Sequence, residues 1–369
     1  MVIKRGLYLA GGGARGAYQA GVLKAIAHIL QVKSLPFAVM GGVSVGSFNA
    51  AILAEHAHDF LLGVEKLEYV WANIRSQQIF NASNYQLSKS ILRNFSRFIL
   101  NYRQPGYLLD TSPLQEFIAK NINFTAIANN ITSKQLETLE IISHCYETSQ
   151  TISFYQRETL PFEDWQYPRH ISQNTNIDSG HILASSALPL FFPTVAIDGL
   201  HYGDGSLGLI SPLRGAIRFQ VERVLILGTR HLPDSKQEQF RNGDIGFAHV
   251  LGGMLNGLFL DNLDRDIEMV NRMNEIARLL SLWKKRYAPW RPIETIHLRP
   301  SIDVSILAQQ QYNNMPMFLR LLLNLLGARE HSGDLLSFLL FEKEFTRELI
   351  DLGYQDTLAV ARQVTKFFS

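Results

Sequence analysis

Ser44 stands between Gly42 and Gly46 in the stretch "GGVSVGSFNA", residues 41 to 50, after an apolar run and before small residues that suit a helix. A serine hydroxyl attacks well when a sharp strand-to-helix turn projects it, and flanking glycines remove the Cβ atoms that would crowd such a turn. The helix that begins there points its positive end at the hydroxyl and favours negative charge developing beside it. Alone, the pattern says little, since chance places a GxSxG in roughly one chain in ten of this length. Its meaning depends on neighbours that can hold an oxyanion and accept a proton.

The first such neighbour is Gly11-Gly12-Gly13-Ala14-Arg15-Gly16, a glycine loop between a strand-like run and a helical pattern. This is also the form of a dinucleotide-binding loop, which expects an acidic residue about 20 positions on to hold a ribose. Residues 31 to 54 contain neither Asp nor Glu, so a nucleotide site is demoted. Backbone N–H groups turned inward by the glycines suit an oxyanion beside Ser44 instead. Arg15 can steady that loop or meet an anionic head group.

For the base, two arrangements remain open. One is the order Ser, Asp, His, with His231, His249, His297 and His331 available downstream. The other is a dyad in which Asp204, on the glycine-flanked turn "YGDGS", takes the proton itself. An aspartate of ordinary pKa is a poor base for serine, so this needs partial desolvation and a short hydrogen bond.

The elements that must position these residues are readable from hydropathy. Residues 6 to 10 form a strand, 17 to 30 a helix, 36 to 41 a second strand, and about 47 to 57 a second helix. Two successive strand-turn-helix units predict an α/β fold with a mostly parallel sheet and helices on its faces. Residues 59 to 122 look helical, 139 to 156 read as two strands around a polar turn, and 195 to 203 form a strand delivering Asp204 and Gly205. A buried strand follows at 223 to 229, a long helical pattern at 243 to 283, a late strand at 294 to 300, and helices thereafter. This divides the chain into a catalytic core, 1 to 235, and a mainly helical C-terminal region, 236 to 369, packed on it.

With 369 residues, 46% apolar and 18% charged, the chain can bury a sizeable core. A net charge of +2 does not imply a nucleic-acid partner. The single cysteine, Cys145, excludes an internal disulfide framework, and no clustered His, Cys and carboxylate pattern calls for a metal or other cofactor. No classical signal peptide is read at the N-terminus, and no apolar run reaches the roughly 18 residues of a membrane span. The expected location is cytoplasmic or peripheral to a membrane. Two stretches could touch such a surface: "WKKRYAPWR", 283 to 291, and "MPMFLRLLLNLLGA", 315 to 328, the latter equally suited to a core helix or a homo-oligomer interface.

Taken together, "GGGARGAYQAGVL", "GVSVGSFNA", "ASSALPLFFP" and "YGDGS", in that order, resemble the patatin-like phospholipase family. The resemblance implies a three-layer α/β/α sandwich and a lipid acyl hydrolase of phospholipase A or lysophospholipase type. It implies Ser44 as nucleophile, Asp204 as base without a histidine, and an oxyanion hole from the loop Gly11 to Arg15, chiefly the amides of Gly12, Gly13 and Ala14. Two departures stand out: Ser206 follows Gly205 in the acid turn, and "LGLISP" lacks the family's polar residue shortly before Pro212. The competing expectations are a Ser-His-Asp esterase acting on small soluble esters and a lipid-binding module without catalysis.

Overall fold

The computed structural model describes residues 3–81, 107–158, 162–232, 247–279, 291–312, 315, 317, 320, 323–324 and 333–369. Ten strands form one sheet: β1 (Arg5–Leu9), β2 (Val39–Val43), β3 (Thr138–Cys145), β4 (Gln150–Gln156), β5 (Gln166–Tyr167), β6 (His170–Asn174), β7 (Val195–Ile197), β8 (Leu200–Asp204), β9 (Arg223–Leu227) and β10 (Glu294–Leu298). The helices that bear on the site are α1 (Ala17–Leu30), α2 (Val45–Glu55), α3 (Phe60–Ala72), α4 (Ser112–Asn121), α5 (Phe124–Thr132), α6 (Ser179–Ser185), α7 (Arg214–Arg218), α8 (Phe247–Leu279), α9 (Val304–Gln310), α10 (Gly333–Leu339), α11 (Lys343–Ala359) and α12 (Ala361–Phe368).

The order β10-β9-β1-β2-β3 is parallel throughout, and antiparallel pairing begins where β4 and β8 meet β3. Strand alternation sorts side chains onto two faces. Leu7, Leu9, Leu139, Ile141, Leu225 and Leu227 join the core under α1, α2 and α3. Tyr8, Ile142, Val224 and Ile226 join the core that α8 covers through Leu263 and Val270. This is the mostly parallel, helix-flanked sheet that the sequence predicts, with further helices at the C-terminal end.

Several boundaries differ from expectation: residues 59 to 122 are not one helical run, since 73–75 and 107–111 are non-helical and 82–106 lie outside the described residues. β2 begins at Val39 rather than residue 36, because Pro36 has no N–H to give a ladder; it then runs through both glycines to Val43, against Leu9 of β1 and Ile142 of β3. Residues 195 to 204 are a hairpin, not one strand: Asp198 and Gly199 both take positive φ, the geometry of a tight turn between β7 and β8. The short edge strands β5 and β6 and the helix α5 are additional.

The C-terminal region is stitched into the core. β10 extends the sheet beside β9, and α11 crosses α1 so closely that a Cβ on Gly21 would strike the Ile350 carbonyl and one on Gly353 the Tyr18 carbonyl. Arg5 and Arg223, at the starts of β1 and β9, donate to the carbonyls of Phe368 and Phe367.

Candidate active site

β2 ends at Val43 and α2 begins at Val45, leaving Ser44 alone in the corner with φ 53° and ψ −129°. A non-glycine residue held there is strained by about 1–3 kcal/mol and persists because its surroundings fix it. Gly46 meets the end of β1 so closely that a Cβ would collide with the carbonyls of Leu9 and Ala10. That contact lets α2 start against the sheet edge and aim its N-terminus at the serine. The Ser44 amide donates to Ser185 Oγ at 2.9 Å, and Ser185 Oγ donates to the Ile142 carbonyl at 2.6 Å. Ser185, at the end of α6, thus ties the corner to β3.

Asp204 ends β8, opposite Ser143 of β3, and is fully buried. Its amide donates to the Ala187 carbonyl at 3.0 Å, and Oδ1 accepts from the Ser206 amide at 3.0 Å. Burial pushes its carboxyl up to about 6, while hydrogen bonding from Ser44 and Ser206 pulls it part of the way back. Oδ2 makes no hydrogen bond of full strength among the described residues, and the Ser44 side chain acts on the carboxyl through its hydroxyl. The "DGS" departure costs little here, since Ser206 supplies the amide that orients the acid.

The glycine loop lies beside this pair as a one-turn 3-10 segment, Gly13–Gly16, entered through Gly12 at φ 151° and Gly13 at φ 57°. Among the described residues, the amides of Gly12, Gly13 and Ala14 meet no protein acceptor, whereas the Arg15 amide donates to the Gly12 carbonyl at 3.2 Å. Of the residues Gly11 to Arg15, the first three amides after Gly11 are thus free to face an anion, and that of Arg15 is committed within the loop. Thr229 Oγ1 donates to the Gly11 carbonyl. A buried chain holds the loop's far end: Trp71 Nε1 donates to Asn49 Oδ1, and Asn49 Nδ2 donates to the Gly16 carbonyl and to Gln19 Oε1. Ser185, Thr229 and Asn49 escape sequence reasoning because each acts through a partner distant in the chain; only the "ASS" of the quoted motif hints at Ser185.

From Ser44 a narrow pocket of about 60 Å³ runs into the apolar core. Phe48, Trp71, Phe117, Phe192, Phe338 and Phe341 are among its walls; among the described residues Ser186 is the one other serine lining it. Such a lining accepts a hydrocarbon chain and offers almost nothing to a polar one.

Two of the four candidate histidines, His231 and His297, are engaged by other partners. His297 lies on β10, three strands from the strand leading to Ser44, roughly 14 Å away at ~4.8 Å per strand, far beyond the reach of a base. It packs against Arg299 and Asp264, and burial lowers its imidazole to about 3. His231 Nδ1 pairs with the Pro300 carbonyl. The side chain of His249, and all of His331, lie outside the described residues, as do residues 283–290 and most of 315–328. No helix among the described residues is long and apolar enough to cross a membrane.

Comparison with known proteins finds likenesses in sequence segments, in a solved structure and in a family model. Segments of 52 residues are 48% identical to lysophospholipase nte1 of Aspergillus terreus and 50% identical to that of Aspergillus niger, each covering 14% of this chain. The matched stretches amount to 3% of the length of those curated relatives. Among solved structures, VipD from Legionella pneumophila aligns over 98% of this chain and 67% of its own, at 12% identity and a TM-score of 0.42. The family model described as patatin-like phospholipase matches residues 7–217, a span that contains the glycine loop, the Ser44 corner and the Asp204 turn. By that match over more than half its length, the chain belongs to the patatin-like phospholipase family.

Proposed function

We propose that this chain is a lipid acyl hydrolase that works through a Ser44–Asp204 dyad. Ser44 Oγ attacks the ester carbonyl as its proton passes to Asp204 Oδ2, and the carbonyl oxygen becomes an oxyanion facing the amides of Gly12, Gly13 and Ala14. The tetrahedral species collapses, the C–O bond to the glycerol-backbone oxygen breaks, and that alcohol leaves with the proton from Asp204. Water then gives its proton to Asp204 and attacks the acyl-serine. Collapse of the second tetrahedral species returns the proton to Ser44 Oγ and releases a fatty acid.

The observation that carries this reading is the meeting of three things at Ser44: a strained corner, a buried carboxyl on which its hydroxyl acts, and the mouth of an apolar pocket. The lysophospholipase names of the fungal relatives support a single-chain lipid as substrate. The test is hydrolysis of a chromogenic medium-chain ester and of phospholipid or lysophospholipid vesicles by wild type, Ser44→Ala, Asp204→Asn and His→Ala variants at positions 231, 249, 297 and 331. Loss of nearly all turnover in the first two variants alone is expected. A histidine variant that dies while Asp204→Asn survives would overturn the dyad in favour of a triad esterase. A wild type that binds lipid without turnover would make the chain a binding module.

A further inference from the structure

The glycine loop is held from the opposite end of the chain. Arg15, 2% exposed, donates from Nε to Ser337 Oγ at 2.9 Å, from Nη1 to Asn256 Oδ1 at 3.2 Å, and from Nη2 to the Asp334 carbonyl at 3.3 Å and Oδ1 at 3.4 Å. Its guanidinium carbon sits 4.2 Å from the centre of the Phe338 ring. Two residues earlier, Gly13 abuts the Phe338 carbonyl so tightly that no Cβ would fit. α10 therefore grips the loop twice, once through a side chain and once through its own backbone.

A buried guanidinium is tolerated when its fork finds partners, and this one finds them on α8 and α10. Arg15 is thereby engaged inside the protein and is not presented to a lipid head group. The segment that engages it also shapes the pocket: Phe338, Leu339 and Phe341 line the cavity that starts at Ser44. All of these residues fall outside the 7–217 span that the family model matches.

We infer that residues 333–341 complete the active site, setting the glycine loop through the positioning residue Arg15 and selecting the acyl chain through Phe338, Leu339 and Phe341. The inference rests on the hydrolase reading for its kinetic consequences, and on geometry alone for the clamp and the wall. An oxyanion loop displaced by a fraction of an ångström loses stabilisation of the transition state while still admitting the substrate. A wall residue acts differently, on which chain fits.

The test uses the full chain as wild type, Arg15→Ala, Arg15→Lys, Ser337→Ala and Phe341→Ala, with p-nitrophenyl esters from butyrate to palmitate. Readouts are kcat and KM separately, hydrogen exchange of the 11–16 amides, and displacement of the fluorescent fatty acid cis-parinaric acid by saturated fatty acids. Arg15→Ala should lower kcat on the order of 10²-fold, as loss of an oxyanion donor does, with KM changed less than about twofold. Ser337→Ala should show a smaller loss, Arg15→Lys should recover part of kcat, and exchange at 11–16 should rise in step. Phe341→Ala should move both the ester optimum and the displacement series toward longer chains, with relative rates shifting ~10-fold.

A rise in KM at unchanged kcat in Arg15→Ala would overturn the clamp and assign Arg15 to a head group. An unchanged chain profile in Phe341→Ala would overturn the wall. If Arg15→Ala does not fold, Arg15→Lys and Ser337→Ala decide by the same split. A wild type inert on every ester sinks the hydrolase reading instead, and exchange and displacement still decide the clamp and the wall.

Discussion

On the proposed mechanism, the burial that makes the charge of Asp204 costly is also what makes it a stronger base. With the carboxyl pushed up to about 6, the ionised form that can take a proton from Ser44 dominates only above that pH. The expected profile of kcat/KM therefore rises about tenfold per pH step below 6 and levels above it. A stopped assay across pH 4 to 8 checks this, and a plateau extending below pH 5 would remove Asp204 as the base. Strain at Ser44 gives a second expectation. Glycine adopts positive φ without a Cβ penalty, so Ser44→Gly should be inactive yet melt higher than Ser44→Ala, by the part of ~1–3 kcal/mol that the corner stores. Equal melting temperatures in calorimetry would show a relaxed corner. At this scale Ser44, Asp204 and the loop were legible because their chemistry is packed into short motifs. The destination of Arg15 was not, because its partners lie 241 and more residues away.

Elements with strong periodicity were equally legible: α1, β9 and β10 fall where apolar spacing puts them. β5 and β6 were not, since "QY" and "HISQN" at a sheet edge carry no apolar alternation. The β7–β8 turn is signalled by Asp198-Gly199 but masked by the apolar residues that flank it closely. The α1–α11 crossing was invisible, since Gly21 and Gly353 acquire meaning only when the two helices meet. There a methyl group has nowhere to go. Gly353→Ala should destabilise by ~1–3 kcal/mol despite its better helix propensity, read from urea unfolding. A stabilised variant would mean the helices separate more easily than their contact suggests.

At the scale of the whole molecule, Glu140 is another ionisable liability among the described residues. Glu140, 1% exposed in the middle of β3, has an unpartnered Oε1, and desolvation pushes its carboxyl from an ordinary 4.5 up to about 7. A folded-state value above the unfolded one means the contribution to stability is complete below about 4.5 and is lost as pH rises through 7. The full swing is about 3 kcal/mol. Glu140→Gln, a mimic of the protonated form, should flatten this dependence and raise Tm at pH 8 by several degrees while changing little at pH 4. Unchanged melting at pH 8 would show that water reaches the carboxylate.

The link between Arg15 and α10 also has a consequence in time. During synthesis the glycine loop leaves the ribosome more than 300 residues before Ser337, a lag of roughly 15 to 60 s at ~5–20 residues per second. Through that interval the nascent chain holds Ser44 and Asn49 and, later, Asp204 and Thr229, but not the α10 residues that engage Arg15 and wall the pocket. On the proposed mechanism the site is complete only once residues 333–341 arrive, so a translation product that stops before them carries Ser44 and Asp204 without the helix that sets their loop.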